Sequence, residues 1–203
     1  MAGLRNKLDE LTRSYPWPRE KPAVAPNDHG FFNRADRKSL QKHLTTGTRL
    51  VVELGSWLGA SMRWMLDSAP NSMGISVDHW RGSDEHQDED KWRDVLPVLY
   101  ETFVVNCWNY RHRLVAMRED STTALSIIHD MGFEPDLLYI DAAHDYEGAY
   151  ADISAALKYF PKAAIVGDDW SRGGVKEAVR RCMKEFPAYR RVGHGPNWEL
   201  RRK

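Results

Sequence analysis

The chain has 203 residues, enough to bury the core of one generous domain and too few for two full ones. Acidic and basic side chains balance at 29 each, so there is no strong field of one sign to draw the protein to nucleic acid or to an anionic membrane. The only cysteines, Cys107 and Cys182, are too few for a disulfide framework or a thiolate metal centre, and no apolar run is long enough to span a membrane.

The N-terminus "MAGLRNKLDELTRSYPW" is charged throughout and lacks the apolar stretch of a signal peptide, so a cytoplasmic setting is expected. Residues 1–45 read as a helical extension: a short helix over 4–11, a connector "YPWPREKPAVAP" broken by prolines, and a second helix ending near Leu44. From Arg49 the pattern changes to short apolar runs alternating with helical stretches. "RLVVELG" is followed by a helix over 59–66 and by "MGISVD"; then come a long helical region over 90–110, "HRLVAM", a helix over 122–131, "DLLYID", a helix over 146–159 and "AAIVGDD". Buried strands alternating with helices predict an α/β domain over residues 46–203, with a mostly parallel sheet covered on both faces. After the helix "GVKEAVRRCMKEF", two short extended runs around His-Gly-Pro-Asn read as an antiparallel hairpin, which brings the strand count to seven.

In the 146–159 helix, Tyr146, Tyr150, Ile153 and Leu157 are spaced as one buried face, and Asp145 is placed to cap the helix start. The last 33 residues carry ten Lys or Arg against three Glu, a basic tail that reads as a solvated face or as an attractor for an anionic group.

The strand ends carry the chemistry. Glu53 closes the first strand, and Gly55 and Gly59 lie in the turn that follows it, where glycine lets backbone approach a ligand and a helix N-terminus offers free amides. The Gly-x-x-x-Gly spacing departs from the Gly-x-Gly-x-x-Gly of dinucleotide sites, which argues against a nicotinamide or flavin enzyme. Asp78 ends the second strand at a position suited to ribose hydroxyls, Asp120 and Ser121 follow the third, and Asp141 follows the fourth. Any one of these acids could be a helix cap; four in succession on the carboxyl edge of a parallel sheet point to a ligand site.

These stretches, "VVELGSWLGAS", "ISVDHW", "EDSTTAL", "LLYIDAAHDYEGAYADI" and "AIVGDDW", resemble the successive motifs of class I S-adenosylmethionine-dependent methyltransferases, most of all the small O-methyltransferases related to macrocin O-methyltransferase. The pair "IDxxHxYEG" and "DDW" is the more specific part, and the resemblance runs from about His29 to the C-terminus. It implies the Rossmann-like fold of that class. It also implies that the turn Gly55, Ser56, Trp57, Gly59 and Ser61 lies against the methionine part of the cofactor, with Glu53 supporting the turn. Asp78, with His79 beside it, would hold the ribose, and Asp120 and Ser121 would flank the adenine.

Asp168 and Asp169 are adjacent, and 27 residues separate Asp141 from Asp168. Neighbouring side chains on a strand point to opposite faces, so the two can converge only where the strand has ended, and three ionised carboxylates at one rim call for a shared cation. Mg²⁺ or another divalent cation with oxygen ligands answers that need, and the resembled enzymes bind one at an acid after the fourth strand and an acidic pair at this spacing. The alternative is that Asp168 caps the next helix while Asp169 pairs with Arg172.

His144 lies three residues after Asp141, placed either to take a proton from an acceptor hydroxyl or to bond a backbone carbonyl, and Tyr146 reads as core. The segment "HWRGSDEHQDEDKWRDV" brings Trp80 and Trp92 to the acceptor side, where rings beside polar groups suit a sugar or glycan unit and also a catechol. Its acids with His79 and His86 form either a second cation site or a solvated loop, and Trp170 either walls the pocket or packs. The expected activity is therefore O-methylation of a small-molecule or glycan acceptor. A nucleotide-binding or metal-dependent hydrolytic domain on the same fold is the alternative, nucleic-acid methylation is disfavoured by the zero net charge, and the oligomeric state, a homo-oligomer included, is left open.

Overall fold

Strands without a polar face can be stable only between two layers of helices, and that is where the apolar runs of this chain lie. The computed structural model describes residues 2–83, 86, 90–193 and 195–203. Its strands are β1 (Leu50–Leu54), β2 (Met73–Asp78), β3 (Leu114–Arg118), β4 (Leu137–Ile140), β5 (Ala164–Gly167), β6 (Tyr189–Val192) and β7 (Trp198–Arg202). They form one sheet in the order β3-β2-β1-β4-β5-β7-β6, the first five parallel and the last two antiparallel. The C-terminal hairpin thus enters with β7 against β5, and β6 becomes the outer edge.

The helices are α1 (Ala2–Ser14), α2 (Arg34–Gln41), α3 (Ala60–Ser68), α4 (Leu99–Cys107), α5 (Ser121–Asp130), α6 (Tyr146–Tyr159) and α7 (Gly173–Glu185). One core joins Leu8 and Leu11 of α1 with Leu125, Ile153 and Val179 of α5, α6 and α7 against one sheet face. A second joins Leu40, Met62 and Phe103 of α2, α3 and α4 against the other. The N-terminal helices therefore lie on opposite faces, and the segment between them crosses the β3 edge, where Trp17 Nε1 donates to the Leu114 carbonyl at 2.8 Å. Among the described residues no helix is long and apolar enough to cross a membrane.

Three local expectations change. The region 90–110 is not one helix: 3-10 turns at Asp90–Trp92 and Leu96–Val98 precede α4, because Pro97 has no amide to donate and fixes the chain at a helix start. On α6 the buried positions are Ala149, Asp152, Ile153, Ala156 and Leu157, while Tyr146 and Tyr150 are half-buried and stack on each other with ring centres 6.0 Å apart. Trp80 does not face an acceptor; it is buried between Tyr100 and Phe103.

Strands β2 and β3 lie on one side of β1, and β4 on the other, so the chain reverses direction of travel at β1/β4. Ligands of open α/β sheets bind at the carboxyl ends of the strands at such a reversal. Glu53, Asp78 and Asp141 all lie there.

Candidate active site

The turn after β1 is built around a buried acid. Glu53 is fully enclosed, and its carboxylate accepts hydrogen bonds from Ser56 Oγ at 2.6 Å and from Ser61 Oγ. Burial pushes Glu53 up to about 7; the two serine bonds oppose that rise and the charge of Asp78 adds to it. Gly55 has φ +82, and a Cβ there would overlap the backbone carbonyl of Asp141, so glycine is what lets the ends of β1 and β4 close on each other.

The turn is also tied to β2. Asp78 Oδ2 accepts from the Trp57 amide at 2.9 Å and Oδ1 from the Trp80 amide at 2.7 Å, while Trp80 Nε1 donates to the Trp57 carbonyl at 2.8 Å. Each Asp78 oxygen keeps a second lone pair for a further donor. Trp57 holds φ +46, a conformation a bulky residue adopts only when its surroundings compel it, and its buried Nε1 has no hydrogen-bond partner among the described residues. His79 Nδ1 accepts from the Arg81 amide at 3.0 Å and lies 3.8 Å from Asp78. Asp120 precedes α5, exposed, with Arg81 Nη2 at 3.4 Å. Ser121 bonds to buried Asp152, whose burial pushes it up to about 7 against that bond.

At the other side of the reversal, the ligand atoms of Asp141, His144 and Asp169 lie within 4.8 Å of one another, the one such group among the described residues. The Asp141 amide donates to the Leu54 carbonyl at 2.9 Å, Asp145 caps α6 through the Gly148 amide at 2.9 Å, and His144 is held in the loop between them. Strand β5 ends at Gly167, and Asp169 adopts φ +59, which turns its carboxylate toward His144, with Nε2 to Oδ2 2.9 Å. Arg172 Nε stands 3.8 Å from its other oxygen.

Asp168 stands beside this group and outside it. Its Oδ1 accepts from Asn197 Nδ2 at 3.1 Å, and the same Nδ2 donates to Asp36 of α2 at 3.0 Å. Asp168 does not cap α7, whose cap position is Arg172 and has no side-chain bond. Sequence reasoning missed Asp36 and Asn197. The only signal was the Asn33 to Asp36 capping box, which says nothing of a contact 161 residues away.

The charges do not balance without help. Burial, then the negative charges of Asp168 and Asp169, push Asp141 well above the usual carboxylate range. Burial and Asp36 push Asp168 up to about 7. Asp169 is held below its ordinary value, first by the hydrogen bond from His144 and then by the charges of His144 and Arg172. Of the three acids, Asp169 is the one whose charged form its neighbours favour, and it is the one that grips the imidazole. A small recess lined by Asp141, His144, Asp169, Val175 and Trp198 opens beside them.

On the approach to the turn, Trp57 stacks on His86 at 4.5 Å and meets Trp92 edge-on at 5.3 Å, with exposed Phe31 at 6.4 Å. Trp170 lies under the Arg191 guanidinium, 3.6 Å from its ring centre. Of the second cluster considered for a cation, residues 84, 85, 88 and 89 lie outside the described residues.

Residues 52–170, more than half of the chain, match the family described as a methyltransferase domain. Among solved structures, an O-methyltransferase from Bacillus cereus in complex with SAH is 19% identical, with 100% of this chain and 91% of that one covered and a TM-score of 0.58. A TDP-rhamnose 3'-O-methyltransferase of calicheamicin biosynthesis is 16% identical over 97% and 92% of the two chains, with a TM-score of 0.57. A putative caffeoyl-CoA O-methyltransferase from Staphylococcus aureus is 11% identical over 97% and 91%, with a TM-score of 0.60. A comparison with curated proteins finds no match.

Proposed function

We propose, from the premise that this chain belongs to the methyltransferase-domain family and so to the class I S-adenosylmethionine-dependent methyltransferases, that it methylates a hydroxyl of a small acceptor, a sugar or glycan unit, with the assistance of a divalent cation. Family membership sets aside the hydrolytic alternative. The observation that carries the reading is the convergence of Asp141, His144 and Asp169 at the strand reversal, next to the Gly55 turn.

The residues fit both groups. For the cofactor, the Gly55 to Ser61 turn is locked by Glu53, Asp78 retains lone pairs toward the ribose side, and Trp57 Nε1 is a buried donor in want of an acceptor. Asp120 and Ser121 are the adenine-side residues of this assignment. S-adenosylmethionine, when bound, presents its methyl on a positively charged sulfur that leaves as a neutral thioether. For the cation, the carboxylates of Asp141 and Asp169 converge at the strand reversal, a hard oxygen donor set suited to Mg²⁺ or Mn²⁺. Asp141 and Asp169 would hold it, with Asp168 beside them, and it would supply positive charge that lowers the pKa of a nearby hydroxyl.

The protein's own part is positioning and proton transfer. Asp169 grips His144 Nε2, which fixes the ring and its tautomer, and the acceptor proton is taken at Nδ1. Holding oxygen, methyl and sulfur in line supplies most of the remaining acceleration. The exposed ring of Phe31 and the half-buried ring of Trp57 beside it offer stacking faces that support a sugar acceptor, as does the likeness to a rhamnose methyltransferase, while Trp92 is buried behind them and backs Trp57.

The test is mass spectrometry of the protein with S-adenosylmethionine, Mg²⁺ or Mn²⁺ and a panel of sugars, sugar nucleotides and catechols. A gain of one methyl on a sugar hydroxyl, lost in chelator, is expected. Transfer to catechols alone would refute the acceptor class, full activity in chelator the cation, and absence of S-adenosylhomocysteine binding by calorimetry the whole reading.

A further inference from the structure

The hairpin edge carries a cation that no carboxylate among the described residues answers. Arg191 lies on β6, paired with Leu200 of β7, which in turn pairs with Ile165 of β5. Leu200 and Ile165 are buried in the core under α7, so the Arg191 side chain emerges on the α7 side of the sheet. There its guanidinium stacks on Trp170, the residue after Asp169, whose amide donates to the Pro196 carbonyl in the hairpin turn at 2.6 Å.

Lys176 Nζ is 5.6 Å from the centre of the same ring, and Arg180 follows four residues later on the same helix face. Among the described residues no ion pair joins Arg191, Arg180 or Lys176 to a carboxylate, although acids are as numerous as bases in this chain. Arg191 Nε is shut away from water with no hydrogen-bond partner among the described residues. Desolvation, then the charge of Arg180, pushes Arg191 below its ordinary value, so the two guanidinium groups lie within reach of each other's charge. A guanidinium stacked face-down on an indole keeps its in-plane N–H fork for a negative group.

We propose that Arg191, with Lys176 and Arg180, forms a subsite for the phosphate of the acceptor, so that the molecule methylated is a phosphate ester of a sugar. This rests on the small-acceptor reading above and narrows it. The two terminal nitrogens of Arg191 take two phosphate oxygens, Lys176 and Arg180 supply the further charge that a dianion needs, and Trp170 is the neighbour in sequence of Asp169.

Calorimetry on the full chain, without cofactor or divalent cation, tests this with glucose 1-phosphate, UDP-glucose, glucuronate and glucose as probes. The phosphate-bearing probes should bind and glucose should not; whichever of glucose 1-phosphate and UDP-glucose binds tighter separates a monoester from a diphosphate. Arg191→Ala should weaken that binding by about tenfold or more, and Arg191→Lys, which keeps charge but loses the fork, by less. The double variant Lys176→Ala/Arg180→Ala, on the open face of α7, should also weaken it and serves should Arg191→Ala unfold. Equal binding of glucose, preference for glucuronate, unchanged affinity in the variants, or displacement by a short RNA at far lower concentration would each overturn the proposal. Since cofactor and cation are absent from the titration, failure here is separate from failure of methyl transfer.

Discussion

Replacing Glu53 with glutamine keeps the shape of a buried side chain and its two serine partners while removing its charge. The amide can accept from one serine and donate to the other, so the turn after β1 should stay closed. What changes is the response to pH. The Glu53 carboxyl is pushed from an ordinary 4.5 up to about 7, a gap of about 2.5 pH units; at roughly 1.4 kcal/mol per unit this makes the ionised form cost about 3 kcal/mol in the native state. The group is fully buried, so solvent does not screen that cost. A raised acid binds a proton in the folded chain after the unfolded chain has released it, so its contribution is greatest below pH 4.5, falls as pH rises through 4.5 to 7, and is flat above. Glu53→Gln lacks this decline. The stability of the variant relative to the parent should therefore rise by about 3 kcal/mol between pH 4 and pH 8. Asp152, also raised to about 7, contributes the same slope to both proteins and cancels. Urea denaturation followed by tryptophan fluorescence at constant ionic strength measures the difference. A gap constant to within about 0.5 kcal/mol across that range would refute the reasoning.

Other perturbations address the site. Asp169→Ala removes a carboxylate ligand together with the anchor of His144, and should weaken Mn²⁺ binding by roughly ten- to a hundredfold in calorimetry while S-adenosylhomocysteine affinity stays within about threefold; unchanged Mn²⁺ affinity would contradict its role. His144→Ala should lower turnover by about 10²- to 10⁴-fold with little change in cofactor affinity, and full turnover would dismiss it as the base. Gly55→Ala puts a Cβ against the Asp141 carbonyl at φ +82 and should cost more than about 2 kcal/mol, read as a lowered thermal midpoint. Asn197→Ala leaves the carboxylates of Asp36 and Asp168 without their shared donor and should cost about 1–3 kcal/mol in urea; a neutral result would show that the bridge is dispensable.

Much of the fold was legible because its signals are local. A strand buried on both faces must be apolar along its length, so the five parallel strands stand out as runs, and Asp145 was recognisable as a cap from its place before a helical pattern. Gly55 was legible as the turn after β1, though not the reason for it, since the Asp141 carbonyl that forbids a Cβ arrives from a strand 86 residues later.

The acids at the strand ends were legible too, but not their division of labour. Adjacent carboxylates look equivalent in sequence. The left-handed backbone of Asp169 sends one toward His144, and Asn197 and Asp36, brought in by the hairpin and by α2, claim the other. The cation on β6 that no described carboxylate pairs with was hidden for the same reason: the basic tail was visible in composition, but which of its side chains meet an acid depends on α7 packing over the hairpin edge. Sequence by itself determined the elements and the chemical types at the sheet's rim, since periodicity and backbone rules act over a few residues. Tertiary structure alone decided which of those groups meet, because distances between side chains far apart in the chain are set by packing and not by any local preference.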